Sequence, residues 1–447
     1  MRGGPWSQLI GAVPLARFVA EDWQRRPLSV PGGARAELFS RERLDQALLA
    51  ISRAPAAGGA ETHIRAMFAR RGGAAPAGDW MNVFEASPAQ VAGLLEAGAS
   101  ICVHDVHACD RELARLAASL KAELGFAGRV GVSAYLSPAG EGLEVHLDAQ
   151  GVLIVQIEGR KRWRMDDRPV VACPPANALL CQGGTSAWTE PLDPGRWPPP
   201  PARDPGSFHE IEMGPGDVLY VPAGTWHATE AITPSLGLAI YFAPITLPTL
   251  LENLLWSLFQ DRPEWRAGPP VAPLLEETSG ALPAAVADYF SARLAELRDA
   301  LAAIDPGGLA LGSLWRRMLV AAPPPEEEPG GAGETDADAP IGEADLLELS
   351  DELPVTWGAG VDRDGRPVTC IYRGEDEIGL SGDARAFVAG MMQRRRFRAG
   401  ASVAWADPAR PARWSEVQAV LEELCRRGVL RRAGGDPAPG GEVARDA

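Results

Sequence analysis

Two stretches of the chain hold residue types that bind a metal. In LEVHLDAQG, His146 and Asp148 lie two positions apart in a run with strand character. Side chains alternate across a strand, so both leave the same face and can reach one ion, while Val145 and Leu147 point the other way. Far along the chain the turn PAGTWH ends at His227, a third donor. Two imidazoles and one carboxylate form a facial triad suited to ferrous iron, with three positions open on one side of the ion. The chemistry would use two of them for the carboxylate and keto oxygens of 2-oxoglutarate and one for dioxygen. H-x-D alone is a weak signal, because a barrel histidine satisfied by its neighbouring aspartate has the same spacing.

A cation strengthens it. VLIVQIEG followed by RKRWRM reads as a hairpin turning at Glu158–Gly159, with Lys161, Trp163 and Met165 on one face and Arg160, Arg162 and Arg164 on the other. The arginines make the wet face. Lys161 then points inward, where an unpaired ammonium costs several kcal/mol and tends to lose its proton. The distal carboxylate of a metal-chelating 2-oxoglutarate would satisfy it. Snorkelling to the barrel rim, or pairing with Glu144, are the alternatives. A second cluster, His104, His107 and Cys109 in VHDVHACD, has metal-ligand types, but it sits where a strand meets a helix, and Asp105 and Asp110 there look like helix caps.

The elements that must carry these residues follow from periodicity. Residues 14–29 read as a short helix ended by Pro27, residues 41–52 as another, and the stretch 87–125 as two helices around a strand at Ser100–Val106. From 129 to 243, short β-type runs separated by Gly, Pro and Asp turns suggest a barrel or sandwich. Within it, Pro191–Gly206 carries four successive prolines and must be a surface loop. Beyond 247, LPTLLENLLWSLFQ and ALPAAVADYFSARLAELRDALAAI have helical apolar stripes that need a partner. An acidic Pro/Gly-rich linker at 323–346 is expected to be disordered. After it come a strand at Pro367–Tyr372 and helices at Asp383–Gln393 and Arg413–Arg427, an order compatible with a winged-helix-like module.

Composition sets limits. With 447 residues, 46% hydrophobic and 23% charged, the chain is expected to form two or three globular domains. A net charge of −16 disfavours a nucleic-acid partner and favours a basic one. The basic run Arg394–Arg398 is read as a solvated face. Six cysteines without a C-x-x-C pair predict neither a disulfide framework nor a zinc ribbon, and Cys173 and Cys181 are expected to be unpaired. The N-terminus looks like neither a signal peptide nor a membrane span, so the expected location is cytoplasmic, with no membrane association.

The opening FVAEDWQRRPL (18–28), the strand SAYLSPAGEGLEVHLD (133–148), the hairpin VLIVQIEGRKRWRM (152–165) and MGPGDVLYVPAGTWHAT (213–229) together resemble the Jumonji-C oxygenases, and within them the ribosomal oxygenases. The resemblance implies an α+β fold: a double-stranded β-helix (cupin or jelly-roll) barrel in residues 1–245, a helical dimerisation segment at 246–322, the linker at 323–346, a winged-helix-like domain at 347–435 and a flexible tail at 436–447. It implies Fe(II), 2-oxoglutarate and O2 as cofactor and cosubstrates. It puts the metal on His146, Asp148 and His227, the cosubstrate on Lys161 with Tyr135 nearby, and Ser133 where relatives often have Asn. Ala149, Gln150 and Gly151 depart from the family's usual continuation of the H-x-D strand. The implied activity is hydroxylation of a side chain on a ribosomal protein or precursor peptide, with release of succinate and CO2, by a homodimer. The rival expectation is a non-catalytic cupin sensor whose winged-helix module binds DNA or a partner.

Overall fold

The structure is a computed structural model, described over residues 4–11, 13–34, 37–53, 63–68, 83–181, 183–271, 282–305, 308–322, 339–361, 366–381, 384–406 and 410–433. The chain enters through helices α1 (Pro5–Ile10) and α2 (Leu15–Glu21), strand β1 (Leu28–Val30) and helix α3 (Arg41–Arg53). Next come β2 (Ile64–Met67), β3 (Val83–Ala86), α4 (Val91–Glu96), β4 (Ser100–Val103) and α5 (Arg111–Leu124). The central strands are β5 (Arg129–Ser137), β6 (Gly142–Leu147), β7 (Gly151–Glu158), β8 (Lys161–Met165), β9 (Ala178–Leu180) and β10 (Ser186–Trp188). They continue with β11 (His209–Met213), β12 (Val218–Val221), β13 (His227–Ala231) and β14 (Ser235–Ala243).

These strands form two sheets. One has the order β1-β12-β7-β14-β5-β4-β2-β3 and the other β10-β9-β6-β13-β8-β11. All strand pairings among the described residues are antiparallel, as in a cupin-type double-stranded β-helix. Sequence explains the layers. In β7, Val152 and Ile154 face the interior with Trp163, Met165 and Met213 of the opposite sheet, whereas Leu153 and Val155 face outward into a second core. That outer core joins the sheet to α1, α2, α3 and α5 through Trp6, Leu9, Phe18, Leu44, Leu113 and Leu120. A strand buried on both faces needs a continuous apolar run, and VLIV is one. Phe18 meets Tyr220 edge-on with ring centres 4.8 Å apart, and Trp23 stacks on Tyr220 at 5.7 Å, which fixes the N-terminal segment to β12.

Four expectations need correction. The runs at 152–158 and 161–165 do not pair as a hairpin: β7 lies between β12 and β14 in one sheet, and β8 between β13 and β11 in the other. Gly159 makes the crossover. It has φ of +70°, and a Cβ there would lie 2.0 Å from the Pro234 carbonyl oxygen, so the chain changes sheets at a point where only glycine fits. The face alternation survives, since it depends on strand period and not on pairing partner: Lys161, Trp163 and Met165 are buried and Arg164 is exposed. Second, the entry helix stops at Glu21, well before Pro27. Third, the strand at Ser100 ends at Val103. Asp105, with φ of 52°, turns the chain there and accepts a hydrogen bond from the Tyr241 hydroxyl instead of capping with its side chain. Asp110 does cap α5, accepting from Leu113 N at 3.0 Å. Fourth, β2 and β3 are strands that periodicity did not reveal.

After the barrel come α6 (Leu247–Phe259), α7 (Pro263–Arg266), α8 (Ala284–Ala302) and α9 (Leu309–Val320). Residues 323–338 of the expected linker and 436–447 of the expected tail lie outside the described residues. The C-terminal elements are β15 (Leu346–Leu349), β16 (Val355–Val361), β17 (Pro367–Arg373), β18 (Asp376–Ser381), α10 (Arg385–Arg394), β19 (Arg396–Arg398), α11 (Trp414–Arg426) and β20 (Leu430–Arg432). They make two three-stranded sheets, β19-β15-β20 and β16-β17-β18. Ile341 is already buried in their core, with Leu347, Val388, Met391 and Leu421, so packing begins ahead of residue 347. The basic run is exposed at Arg394, Arg395, Arg396 and Arg398, as a solvated face is, and three of these arginines also make contacts nearby. Arg396 pairs with Glu348 at 4.0 Å, Arg398 donates to Ala344 O at 3.1 Å, and Arg394 lies over the Trp405 ring at 4.8 Å. No helix among the described residues is long and apolar enough to cross a membrane.

The crossover makes a prediction. Gly159→Ala forces a left-handed alanine against a backbone oxygen and should destabilise the fold by about 2–4 kcal/mol, read as a lowered midpoint in urea or thermal unfolding.

Candidate active site

Neighbouring strands of the second sheet bring the proposed ligands together. His146 on β6 and His227 on β13 are direct cross-strand partners, and their ring centres lie 4.2 Å apart. Asp148 follows the end of β6, held by backbone bonds on both sides: Gly224 N donates to Asp148 O at 2.8 Å, and Ala149 N donates to Asn177 Oδ1 at 2.7 Å. Gly224 is needed at this corner, since its φ is +77° and a Cβ would meet Val171 O at 2.0 Å. The carboxylate Oδ2 lies 3.9 Å from His146 Nε2 and 3.6 Å from His227 Nε2. Two donors each about 2.1 Å from one ion are at most roughly 4.2 Å apart, so both separations suit a shared metal.

Tautomers agree. His146 Nδ1 contacts Glu144 O at 2.8 Å and His227 Nδ1 contacts Thr225 O at 2.9 Å. A carbonyl can only accept, so each Nδ1 carries the proton and each Nε2 keeps its lone pair for a metal. Both rings are buried. Burial, with His146 alongside, lowers the His227 pKa to about 4, which keeps that imidazole neutral at ordinary pH. Trp163 stacks on His227 at 5.7 Å. Among the described residues, His146, Asp148 and His227 are the one group of three or more such side chains close enough to share an ion. His107 Nδ1 instead accepts from Val132 N at 3.2 Å, and His104 stacks on His63 at 4.3 Å, so the cluster at 104–109 does not assemble.

The triad opens into a cavity of about 150 Å³ between the two sheets. Lys161 lies in its wall, 6% exposed, and its Nζ donates to Ser137 Oγ at 3.2 Å. Neither snorkelling nor a Glu144 pair describes it. With one neutral hydroxyl as its observed partner, the buried ammonium has a pKa lowered to about 8 by desolvation. Trp163 Nε1–H is also buried without an acceptor among the described residues. Tyr135 lines the cavity too, its hydroxyl pushed well above the usual range by burial and by Cys102. Ser133 is buried on β5 opposite Ala239 but is not among the residues lining the cavity.

Sequence reasoning missed several wall residues: Arg65 on β2, Gln156 on β7, Asn177, and Thr229 on β13. The alternation in β7 puts Gln156 on the face of Val152 and Ile154 and was a usable signal. Arg65 had none, because its strand was not recognised.

A family model described as a JmjC domain matches residues 107–250. Ribosomal oxygenase 2 of Rattus norvegicus is 37% identical over 134 residues, which are 30% of this chain and 24% of that protein. The chain thus spans about a quarter of that relative's length. The uncharacterized protein YxbC of Bacillus subtilis (strain 168) is 27% identical over 266 residues, 57% of this chain and 75% of that one. In fold, the chain is similar to YcfD, a ribosomal oxygenase from Escherichia coli solved with cobalt and 2-oxoglutarate. The TM-score is 0.53 at 19% identity, over 94% of this chain and 99% of that one.

The donor set can be tested without turnover. One equivalent of Mn(II) or Co(II) should bind the purified protein in titration calorimetry, and His146→Ala should weaken binding by about 100-fold or more through loss of one of three ligands.

Proposed function

We propose that the chain, whose residues 107–250 match a JmjC-domain family model, is a Fe(II)- and 2-oxoglutarate-dependent oxygenase that hydroxylates a side chain of a protein or peptide. The balance is R–H + O2 + 2-oxoglutarate → R–OH + succinate + CO2. The observation that carries this reading is one cavity holding both a two-His, one-carboxylate donor set and a buried ammonium whose observed partner is a neutral hydroxyl.

The residues fit both groups. His146, Asp148 and His227 would hold the metal through two Nε2 atoms and a carboxylate oxygen, a set characteristic of non-haem Fe(II) oxygenases. Lys161 would take the distal carboxylate of the cosubstrate, and the acceptor-less Trp163 Nε1–H offers a second donor in the same wall. When bound, ferrous iron and 2-oxoglutarate supply the activation of O2. The protein's part is to orient and to exclude water. Val152, Ile154 and Ala239 give the cavity apolar walls, and Glu144 O and Thr225 O hold the two imidazoles in the tautomer that presents Nε2. Tyr135 stays a neutral hydroxyl that can hydrogen-bond the cosubstrate, whereas Ser133, two residues back on β5, does not line the cavity.

The substrate is proposed to be a ribosomal protein or a precursor peptide, in keeping with the named relatives and with an acidic chain that suits an overall basic partner. The protein is proposed to act as a homodimer through α6–α9. Of the fourteen exposed large hydrophobics among the described residues, ten fall between Leu247 and Trp315, and α8 buries none of its residues. Such a surface needs a partner. All six cysteines are free, which supports a reducing, cytoplasmic setting.

The test is succinate formation. Purified protein with Fe(II), 2-oxoglutarate and air should form succinate, slowly without substrate and faster with it; a sensor would form none. The Lys161 pKa fixes a pH dependence. The ammonium binds the anion and the amine does not, so the KM for 2-oxoglutarate should be flat below pH 8 and rise roughly tenfold per pH unit above it. Lys161→Ala should raise that KM by about 100-fold and abolish the inflection. For assembly, Trp256→Glu with Leu294→Glu should shift the mass in light scattering from dimer to monomer.

A further inference from the structure

We propose that Arg65 selects the substrate by pairing with a carboxylate on the peptide beside the residue to be hydroxylated; this rests on the oxygenase reading above. In the first sheet, Arg65 on β2 faces Cys102 on β4, Cys102 faces Tyr135 on β5, Tyr135 faces Gly237 on β14, and Gly237 faces Gln156 on β7. Directly opposed residues share a face. Four of these five, Arg65, Tyr135, Gly237 and Gln156, line the cavity, so the row runs across its wall. Gly237, without a side chain, leaves the space beside Tyr135 open.

The guanidinium is half-buried, and among the described residues it has no hydrogen-bond or ion-pair partner. Its cross-strand neighbour on β3 is an acid, Glu85, which is exposed and forms no salt bridge with it. An arginine that forgoes the adjacent carboxylate and lies in a cavity wall offers five donors to a ligand. Its planar fork matches a carboxylate in two-point fashion.

Position separates this site from the cosubstrate's. Lys161 reaches Ser137, one pleat along β5 from Tyr135, in the row of Ser100 and Met67. Arg65 lies two strands to the side of Tyr135, so their Cα atoms are roughly 10 Å apart at the usual strand spacing. Lys161 enters the cavity from β8 in the opposite sheet, so the two cations stand on different walls. The ligand this geometry takes is an Asp or Glu side chain in the segment that threads past the triad.

The experiment uses the full chain with Fe(II), 2-oxoglutarate and ascorbate, and a positional-scanning library of octapeptides blocked at both ends, read by mass spectrometry for the gain of one oxygen. Hydroxylated peptides should be enriched in Asp or Glu at one fixed position. On the best hit, Arg65→Gln should raise the peptide KM at least tenfold with a smaller change in kcat, Arg65→Lys should restore part of it, and Arg65→Glu should shift the enrichment to Lys or Arg. Hits without acidic enrichment would overturn the proposal. So would hits that appear only in a second library with free C-termini, or an Arg65→Gln variant whose KM rises for 2-oxoglutarate and not for the peptide. If wild-type protein forms no succinate in any reaction, the oxygenase reading falls and this inference with it; succinate without the acidic preference removes this inference alone.

Discussion

Two imidazoles facing each other across an antiparallel strand pair set the terms for the rest of this molecule. His146 and His227 are buried, and each leans its Nδ1 on a carbonyl two residues back along the chain, at Glu144 in β6 and at Thr225 in the turn before β13. Local backbone thus decides the tautomer, and no distant carboxylate is needed to orient either ring. Buried and crowded, the pair gains nothing from being there unless something binds between them and Asp148. The dry walls, the glycine corner at Gly224 and the stacked Trp163 all preserve that crowding. A packed interior transmits small displacements, so the ring positions depend on strand register as much as on their own contacts.

Much of this was legible in the sequence because strand periodicity is rigid. The two-residue spacing of His146 and Asp148, and the alternation from Lys161 to Met165, required only that those runs be strands. Pairing partners were another matter. VLIVQIEG and KRWRM, separated by a Glu-Gly turn, have the local grammar of a hairpin, yet the second run leaves the sheet of the first. What decides it is the clash a side chain at Gly159 would make with Pro234, 75 residues away in sequence, which no local pattern contains. Arg65 escaped for a similar reason. Its strand is four residues long, and its place in the cavity wall exists only because β4 carries it next to β5.

The arginines show how context changes a charge run. Those at 394–398 look like a basic patch in one dimension, but in the fold they brace a small sheet, a loop carbonyl and an indole. Elsewhere Glu352 gathers Arg111 and Arg115 from α5 and Arg373 from β17. Lys121 of α5 donates to Ala321 O at the end of α9. These links attach the C-terminal elements to the helix that covers the barrel. Solvent-accessible pairs contribute little individually, and here a shared, half-buried acid fixes orientation more than it adds stability.

The proline-rich segment between β10 and β11 is the least regular part of the barrel, yet it is fastened by its carbonyls. Trp188 Nε1 donates to Trp197 O and Pro198 O, and Trp226 Nε1 donates to Pro201 O at 2.9 Å. Trp226 immediately precedes His227. An evolving lineage can therefore lengthen or redecorate the outer part of this loop, toward 192–196, without disturbing the centre, whereas a change that moves the carbonyl at 201 tugs on the neighbour of an imidazole. Diversity at the rim and constancy at the core are compatible here because one indole marks the boundary between them.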